Sequence, residues 1–383
     1  MKIIVAPNAF KSSLTALEAA QCISVGIRAV FPDAEIVSIP VADGGDGTAE
    51  VLVSGTGGYF VEVPGVIDPM GQVRRSRFGV LGDGQTAVIE MADASGLRLI
   101  PRNQLNPMIA TSYGTGQLIA ASLDQGFRRI MIGLGGSATV EGGAGMLQAL
   151  GVGLLDSDGQ PIAWGGNGLK TLATVTLDRV DERLQGTEII VASDVENPLV
   201  GPTGAAAVFG PQKGATPEMI PVLDSALANL AAVVERTNGQ SLADLPRGGA
   251  AGGLAAALKG VLNARLESGI DLVLETINLE GALAGAGLVI TGEGKIDSQT
   301  IYGKGPIGVA RLAKKHGIRV IALAGSISAD VDVVFQYGID GLMVIVNGPQ
   351  GLDEAMKHAA SLLTDATSRA LQLMQIGWEL KRG

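Results

Sequence analysis

The chain has 383 residues, of which 46% are hydrophobic and only 3% aromatic, and it carries a net charge of −10. That length suggests about two domains with an aliphatic core, and the acidic balance disfavours a nucleic-acid binder, since the richest basic cluster is only Arg74-Arg75-Ser76-Arg77. No run of 18 apolar residues suggests a membrane span, Met1 to Pro7 is too short for a signal-peptide apolar region, and the single cysteine, Cys22, fits a reducing, cytoplasmic setting without an intrachain disulfide.

In chain order, residues 2–6 read as a buried strand, and residues 14–30 as an amphipathic helix capped by Ser12, Ser13 or Thr15. Strand 35–41, short helix 46–54 and strand 59–63 follow. This strand–helix–strand spacing predicts parallel strands joined by right-handed crossovers. The turn signals Pro64-Gly65 and Asp68-Pro69-Met70-Gly71 predict a domain crossing between 64 and 84. Strands are expected at 73–81, 87–91, 129–132 and 188–192, with helices at 112–125, 217–237 and 252–262. From Gly287 the α/β rhythm returns, with strands 288–291, 319–324 and 342–346 and helices 306–316 and 352–373. His316 and His358 fall on predicted helices and read as surface or packing residues. The expected fold is two α/β domains: an open parallel Rossmann-like sheet from residues 1–64 plus 287–383, and an inserted α/β domain, 65–286, that carries a glycine-rich loop. The active site is expected in the cleft between them, and two consecutive domains are the alternative.

Three segments set acidic residues beside glycines just after apolar runs: Asp43-Gly44-Gly45-Asp46-Gly47, Gly135-Gly136-Ser137 through Glu141-Gly142-Gly143, and Gly292-Glu293-Gly294-Lys295-Ile296-Asp297. Glycine lets backbone amides approach a ligand. Carboxylates beside such amides repel an anion unless a cation intervenes, so the pattern suggests phosphate held through a hard metal such as Mg²⁺. In parallel sheets such loops gather at the carboxyl ends of strands, where ligands bind. Gly135, Gly136 and Ser137 are the candidate phosphate donors, with Gly44 and Gly45 in the companion loop. Asp194 and Glu293 are candidate metal ligands, as is Asp297. Lys11 and Lys213 are candidate cations for a carboxylate or a migrating phosphoryl, Asp43 is the candidate for orienting or deprotonating a hydroxyl, and Ser12, Asn197 and Lys304 are candidate binding residues. Lys295 is a fourth loop lysine.

Other readings stay open on residues alone. Gly133-Leu134-Gly135-Gly136-Ser137-Ala138 fits the loose dinucleotide pattern G-x-G-x-x-A, which would make the protein an NAD(P)-dependent oxidoreductase of a small hydroxy acid. Asp194 to Leu199 could be a merely capped turn. A non-enzymatic sensor that clamps a small acid is a third possibility. No G-x-x-x-x-G-K-[ST] sequence is present, so a P-loop enzyme is disfavoured.

Taken jointly, Asn8 to Leu14, Pro40 to Thr48, Gly133 to Gly145, Asp194 to Leu199, Gly210 to Ala215, Gly249 to Gly253, Thr291 to Thr300 and Gly303-Lys304 strongly resemble the bacterial glycerate kinase type-1 family, in order along nearly the whole chain. The resemblance implies ATP-dependent phosphorylation of D-glycerate with Mg²⁺, usually to 2-phosphoglycerate, by an organic-acid kinase of two α/β domains. It does not fix the individual roles above, and it leaves any oligomeric state open. Asn8, Ala9 and Ser12 replace the family's usual Asp, Ser and Gly, Asp46 stands for a common Glu, and Glu141 for a common Asp.

Overall fold

The computed structural model describes residues 1–301 and 303–382. Thirteen strands run in chain order: β1 (Lys2–Val5), β2 (Glu35–Ser38), β3 (Tyr59–Ile67), β4 (Val73–Val80), β5 (Thr86–Glu90), β6 (Arg129–Gly133), β7 (Gly153–Leu155), β8 (Thr174–Thr176), β9 (Glu188–Ala192), β10 (Arg265–Glu267), β11 (Ala286–Ile296), β12 (Arg319–Ile327) and β13 (Gly341–Val344). The chain divides into two compact units, one made of Met1–Asp43 with Ile270–Gly383 and the other of Gly44–Gly269.

The discontinuous unit holds a five-stranded parallel sheet, ordered β13-β12-β11-β1-β2. The order reverses between β1 and β11, which opens a crevice at their carboxyl ends. Helix Ala16–Val30 starts at Thr15, the third of the three candidate caps. Thr15 Oγ1 accepts from the Glu18 amide at 3.2 Å while the Thr15 amide donates to Glu18 Oε2 at 2.8 Å, a reciprocal capping box. Ala16, Ala19, Ala20, Ile23 and Ile27 form its buried stripe, and the last four pack in a cluster that includes Ile3, Val5, Ile290, Leu323 and Leu363. Gly26 lies where this helix meets the C-terminal helix Ala359–Arg382. The expected helix 352–373 is in fact two, Leu352–Lys357 and Ala359–Arg382.

β11 is longer than the sequence pattern predicted. Strand pairing continues through the third glycine-acid segment, with Glu293 opposite Ala324 and Lys295 opposite Ser326 of β12. Gly292 and Gly325 permit this, because a Cβ on either would strike the neighbouring strand's backbone. Glu293 therefore stands on a strand, and that placement corrects the expected loop.

The second unit holds a mixed six-stranded sheet, ordered β10-β9-β6-β5-β4-β3, and a small β7–β8 hairpin. Here a second expectation fails. Residues 59–63 do not form a third parallel strand of the first sheet; β3 pairs antiparallel with β4. The cause is the turn read as a domain crossing. Asp68 Oδ1 accepts from the amides of Met70 and Gln72, both at 2.9 Å, and closes a hairpin. The two units divide at 43/44 and 269/270, where the sequence led us to expect 64/65 and 286/287. Strands β5, β6, β9 and β10 are parallel, and their ends Glu90, Gly133, Ala192 and Glu267 lie opposite one another in register. The segments that follow these four strands thus share one edge of the sheet. The core beneath is aliphatic, as composition required, and includes Ile89, Leu118, Ile132, Val191, Leu227 and Leu254.

A Cβ at Gly26 would lie 2.6 Å from both the Thr364 carbonyl oxygen and the Thr367 Cβ. Gly26→Ala should lower stability by about 1–3 kcal/mol, the usual cost of overpacking. Urea unfolding of the variant checks this, and an unchanged midpoint would show that the two helices separate freely.

Candidate active site

In the discontinuous unit, the segments after β1 and β2 meet β11. The Asn8 amide donates to the Gly292 carbonyl at 2.8 Å and so carries the β1 pairing past the strand end. Asn8 is 5% exposed. Its Oδ1 accepts from the Ala9 amide at 2.7 Å, which turns the side-chain NH₂ toward Asp43, and Nδ2 donates to Asp43 Oδ2 at 3.1 Å. A carboxylate is the natural acceptor for that donor. Gly305, at the start of helix Gly305–Lys315, leaves room for the Asn8 amide, since a Cβ there would approach it to 3.0 Å.

Glu293 lies beside this pair, 7% exposed, and Thr300 Oγ1 donates to its Oε1 at 3.2 Å. Burial pushes its carboxyl up to about 7; Lys304 pulls it down, Asp43 adds to the rise, and Lys11 opposes it weakly. Asp43, Glu293, Lys11 and Lys304 are therefore within electrostatic reach of one another. Asp297 pairs with Lys295 at 3.0 Å and with Lys304 at 3.8 Å. Ser12 is exposed in the tight turn between Phe10 and Leu14, where it holds φ 67°. This is the position at which the resemblance expects glycine, and left-handed backbone explains that preference.

In the second unit the two glycine loops pack backbone on backbone. The Gly135 amide donates to the Gly44 carbonyl at 3.1 Å. A Cβ on Gly135 would collide with Gly45, and one on Gly136 with the Asp46 carboxylate. Gly136 also holds φ 69°. Glu90, which sequence analysis passed over, anchors the first loop: its carboxylate accepts from the amides of Gly47 and Ala49 at 3.0–3.2 Å and pairs with Arg98 at 3.2 Å. Burial raises its pKa, against the pull of the Gly47 amide and Arg98.

The loop after β6 bends so that the Gly136 carbonyl accepts from Leu97 and the Ala138 amide donates to Ser95. The amides of Gly136, Ser137 and Thr139 donate to no acceptor among the described residues. Thr139 Oγ1 is buried without a partner as well. Buried backbone donors are rarely left unpaired, so this stretch has the character of an anion cradle. Lys213 reaches it from the turn Pro211–Lys213. Its Nζ lies 2.6 Å from Ser137 Oγ and 2.8 Å from the Thr139 carbonyl. Lys213 is 2% exposed, and burial alone brings its pKa down to about 7.

Glu141 plays no part in facing a ligand. It is fully buried, and its carboxylate accepts from the Ser112 amide and hydroxyl, both at 2.6 Å, the Gly145 amide at 3.0 Å and the Gly165 amide at 2.9 Å. Asp194 and Asn197 follow β9. Asp194 Oδ1 accepts from Ser268 Oγ at 3.2 Å and the Gly269 amide at 2.8 Å, at the start of helix Gly269–Thr276. Asn197 Nδ2 donates to the Thr203 carbonyl at 2.8 Å and staples its own turn.

The structure thus groups Lys11, Asp43, Glu293, Asp297 and Lys304 in one unit, and Gly44, Gly45, Gly135, Gly136, Ser137 and Lys213 in the other. Asn8, Thr139 and Thr300, which lie in the family-like segments but have no role assigned there, join them, as does Glu90, which lies in no motif. A cavity of about 350 Å³ in the second unit, lined by Tyr113, Gln148, Leu154, Ile162, Trp164 and Arg179 among others, includes none of the predicted residues. Helix Ala144–Ala149 begins well past Ala138, so the loop lacks the immediate helix of a dinucleotide fingerprint.

Parallel strands with glycine-rich, charged loops at their carboxyl ends form the ligand-binding edge of an α/β enzyme, and the comparisons supply the class. The model of the glycerate kinase family matches residues 3–375. A glycerate kinase of Bacillus subtilis (strain 168) is 52% identical over 363 residues, covering 95% of each chain. The glycerate 2-kinase of Escherichia coli (strain K12) is 48% identical over 98% of this chain and 99% of its own. The crystal structure of a protein assigned as glycerate kinase 2 from Salmonella typhimurium LT2 superposes with a TM-score of 0.86 at 47% identity, covering 99% of both chains. The chain belongs to the glycerate kinase family and is an enzyme of the phosphotransferase class. Among the described residues no helix is long and apolar enough to cross a membrane.

Glu293 yields a test with a defined sign. Its folded-state pKa lies above the ordinary value of 4.5, so its contribution to stability is fully present below that value and is lost as pH rises through about 7. Relative to Glu293→Gln, the wild type should lose up to roughly 3 kcal/mol across that window, measured by urea unfolding without divalent cations. A difference that stays flat with pH would show that the Glu293 carboxyl titrates as in water.

Proposed function

We propose that this protein transfers the γ-phosphoryl group of Mg·ATP in line to D-glycerate and releases 2-phosphoglycerate. The observation that carries the reading is the loop after β6, with its amides and the Thr139 hydroxyl unpaired among the described residues and the buried Lys213 amine beside them. Family membership supports glycerate as acceptor, and the printed name of the Escherichia coli relative, glycerate 2-kinase, supports the position.

Phosphoryl transfer asks for positioning and charge neutralisation more than covalent chemistry. The amides of Gly136, Ser137 and Thr139 and the hydroxyls of Ser137 and Thr139 are assigned to phosphate oxygens, with Gly135, whose amide bonds the Gly44 carbonyl, shaping the loop and Lys213 neutralising the migrating group. Gly44 and Gly45 allow that loop its close backbone packing. Asp43, with Oδ2 held by Asn8, is assigned to orient or deprotonate the attacking hydroxyl. Lys11 and Lys304 are assigned to the glycerate carboxylate or the phosphoryl charge. Ser12 and Asn197 have weaker claims, since Asn197 already holds its own turn.

The donor chemistry fits Mg²⁺. Among the described residues no three His, Cys, Asp or Glu side chains converge, but Mg²⁺ bound mainly through phosphates and water needs only one or two carboxylates. Glu293 offers the better place, because burial and, to a lesser extent, its neighbour Asp43 disfavour its charged form, and a divalent cation would relieve that repulsion. Asp297 is already paired with two lysines, and Asp194 Oδ1 serves the Ser268–Gly269 segment. When bound, the cation would screen the phosphate charge against these acids. Free Cys22 fits a reducing, cytoplasmic setting.

An ADP-release assay with D-glycerate, followed by NMR of the product, tests class, acceptor and position together. ADP should form only with glycerate, and phosphorus should appear on the 2-oxygen. Product on the 3-oxygen would overturn the regiochemistry. NADH turnover without ADP would revive the oxidoreductase reading. In the same assay at saturating substrates, Asp43→Asn and Lys11→Ala should each lower turnover at least roughly a hundredfold, and near-normal turnover of either folded variant would remove that residue from the mechanism.

A further inference from the structure

Lys213 has an unusual set of neighbours for a buried amine. Among the described residues its Nζ touches a hydroxyl and a carbonyl and no carboxylate. The titratable groups around the loop are Glu141, occupied by four donors; Asp46, against Gly136; and Glu90, Asp93 and Arg98 in the segment that borders the loop. None of them perturbs Lys213; the cause of its depression is burial. The turn that carries it is fixed by Gly214, whose φ of 90° puts a would-be Cβ into the Leu105 carbonyl.

The 2.6 Å contact with Ser137 can run in either direction. A neutral amine donates to the Thr139 carbonyl and accepts from the Ser137 hydroxyl. An ammonium has no lone pair, so it donates to both oxygens and keeps one N–H to spare. The Ser137 hydroxyl hydrogen is then free to point elsewhere. A buried ammonium without a counter-charge is costly, and an anion at the neighbouring amides would remove that cost.

We propose that phosphate arriving at the loop after β6 drives uptake of one proton by Lys213 and reverses the Lys213–Ser137 hydrogen bond, so that the Ser137 hydroxyl turns its hydrogen to a phosphate oxygen. The proton comes from solvent, the amine becomes an ammonium, and no covalent bond to carbon or phosphorus changes. The inference rests on the reading of this loop as the phosphate cradle. It adds that the cradle is incomplete until the phosphate itself charges it, which makes nucleotide affinity a function of pH.

The test is calorimetric titration with Mg·ATP, acceptor absent, in pairs of buffers of different ionisation enthalpy. At about pH 8.5 the wild type should take up close to one proton per nucleotide, and at about pH 6 close to none. Above about pH 7 the Kd should rise roughly tenfold per pH unit. Lys213→Arg is charged throughout, so it should bind with no proton uptake and a flat Kd. Binding without uptake at either pH, or uptake that persists in Lys213→Arg, would overturn the coupling and leave the phosphate reading standing. No binding by the wild type even at about pH 6 would remove both. Should Lys213→Arg fail to fold, the Cε chemical shift of Lys213 in labelled wild-type protein decides the matter: it should move from amine to ammonium on adding Mg·ATP at about pH 8.5, and an unmoved signal would overturn the proposal.

Discussion

Backbone donors without acceptors are the constraint on which this molecule turns. The loop after β6 is held at its flanks by bonds to Ser95, Leu97 and Gly44, yet the amides between those anchors donate to nothing among the described residues. A fold keeps such a stretch only when something else over-determines it. Here the glycine-on-glycine contact supplies that support, since Gly135 against Gly45 admits no side chain on Gly135. Glu90 fixes the opposing loop from beneath by accepting its amides. The unpaired donors are thus a consequence of two loops pressed together at the ends of parallel strands.

The acids divide into two kinds that composition alone does not separate. Glu90 and Glu141 are buried acceptors that hold backbone segments in place. Asp43 and Glu293 lie with Lys11 and Lys304 at the reversal between β1 and β11, where open parallel sheets place their ligands. The first kind builds the scaffold, and the second supplies charges whose balance a bound cation or substrate can shift. Asn8 stands between the roles: it continues the strand pairing through its backbone and fixes an Asp43 oxygen through its side chain.

Much of this was legible in the chain. The strand at Glu188–Ala192 and the helix beginning near Thr15 follow directly from apolar periodicity and a capping box. The glycine-acid segments marked the strand ends because glycine is what a close backbone approach demands. The unread parts have physical reasons. The β3–β4 hairpin depends on Asp68 accepting two amides, a turn whose sequence equally suits a crossing. The extension of β11 needs two glycines in a strand, which local propensity counts against. Glu141 reads as a ligand-facing acid until its four donors, contributed by residues up to 29 positions away, are seen. Glu90 lies in no motif, Asn8 and Thr139 lie in matched segments that assign them no role, and the importance of all three lies in partners that only folding supplies.

The central claim is that the amides of Gly136, Ser137 and Thr139 are unpaired because they await phosphate. Hydrogen–deuterium exchange of the segment 133–143, read by mass spectrometry with and without saturating Mg·ATP, tests it most directly. The account predicts slowed exchange in this segment on nucleotide addition, with the arginine-bearing β3–β4 hairpin unaffected. Equal exchange in the two states, with nucleotide demonstrably bound, would contradict it.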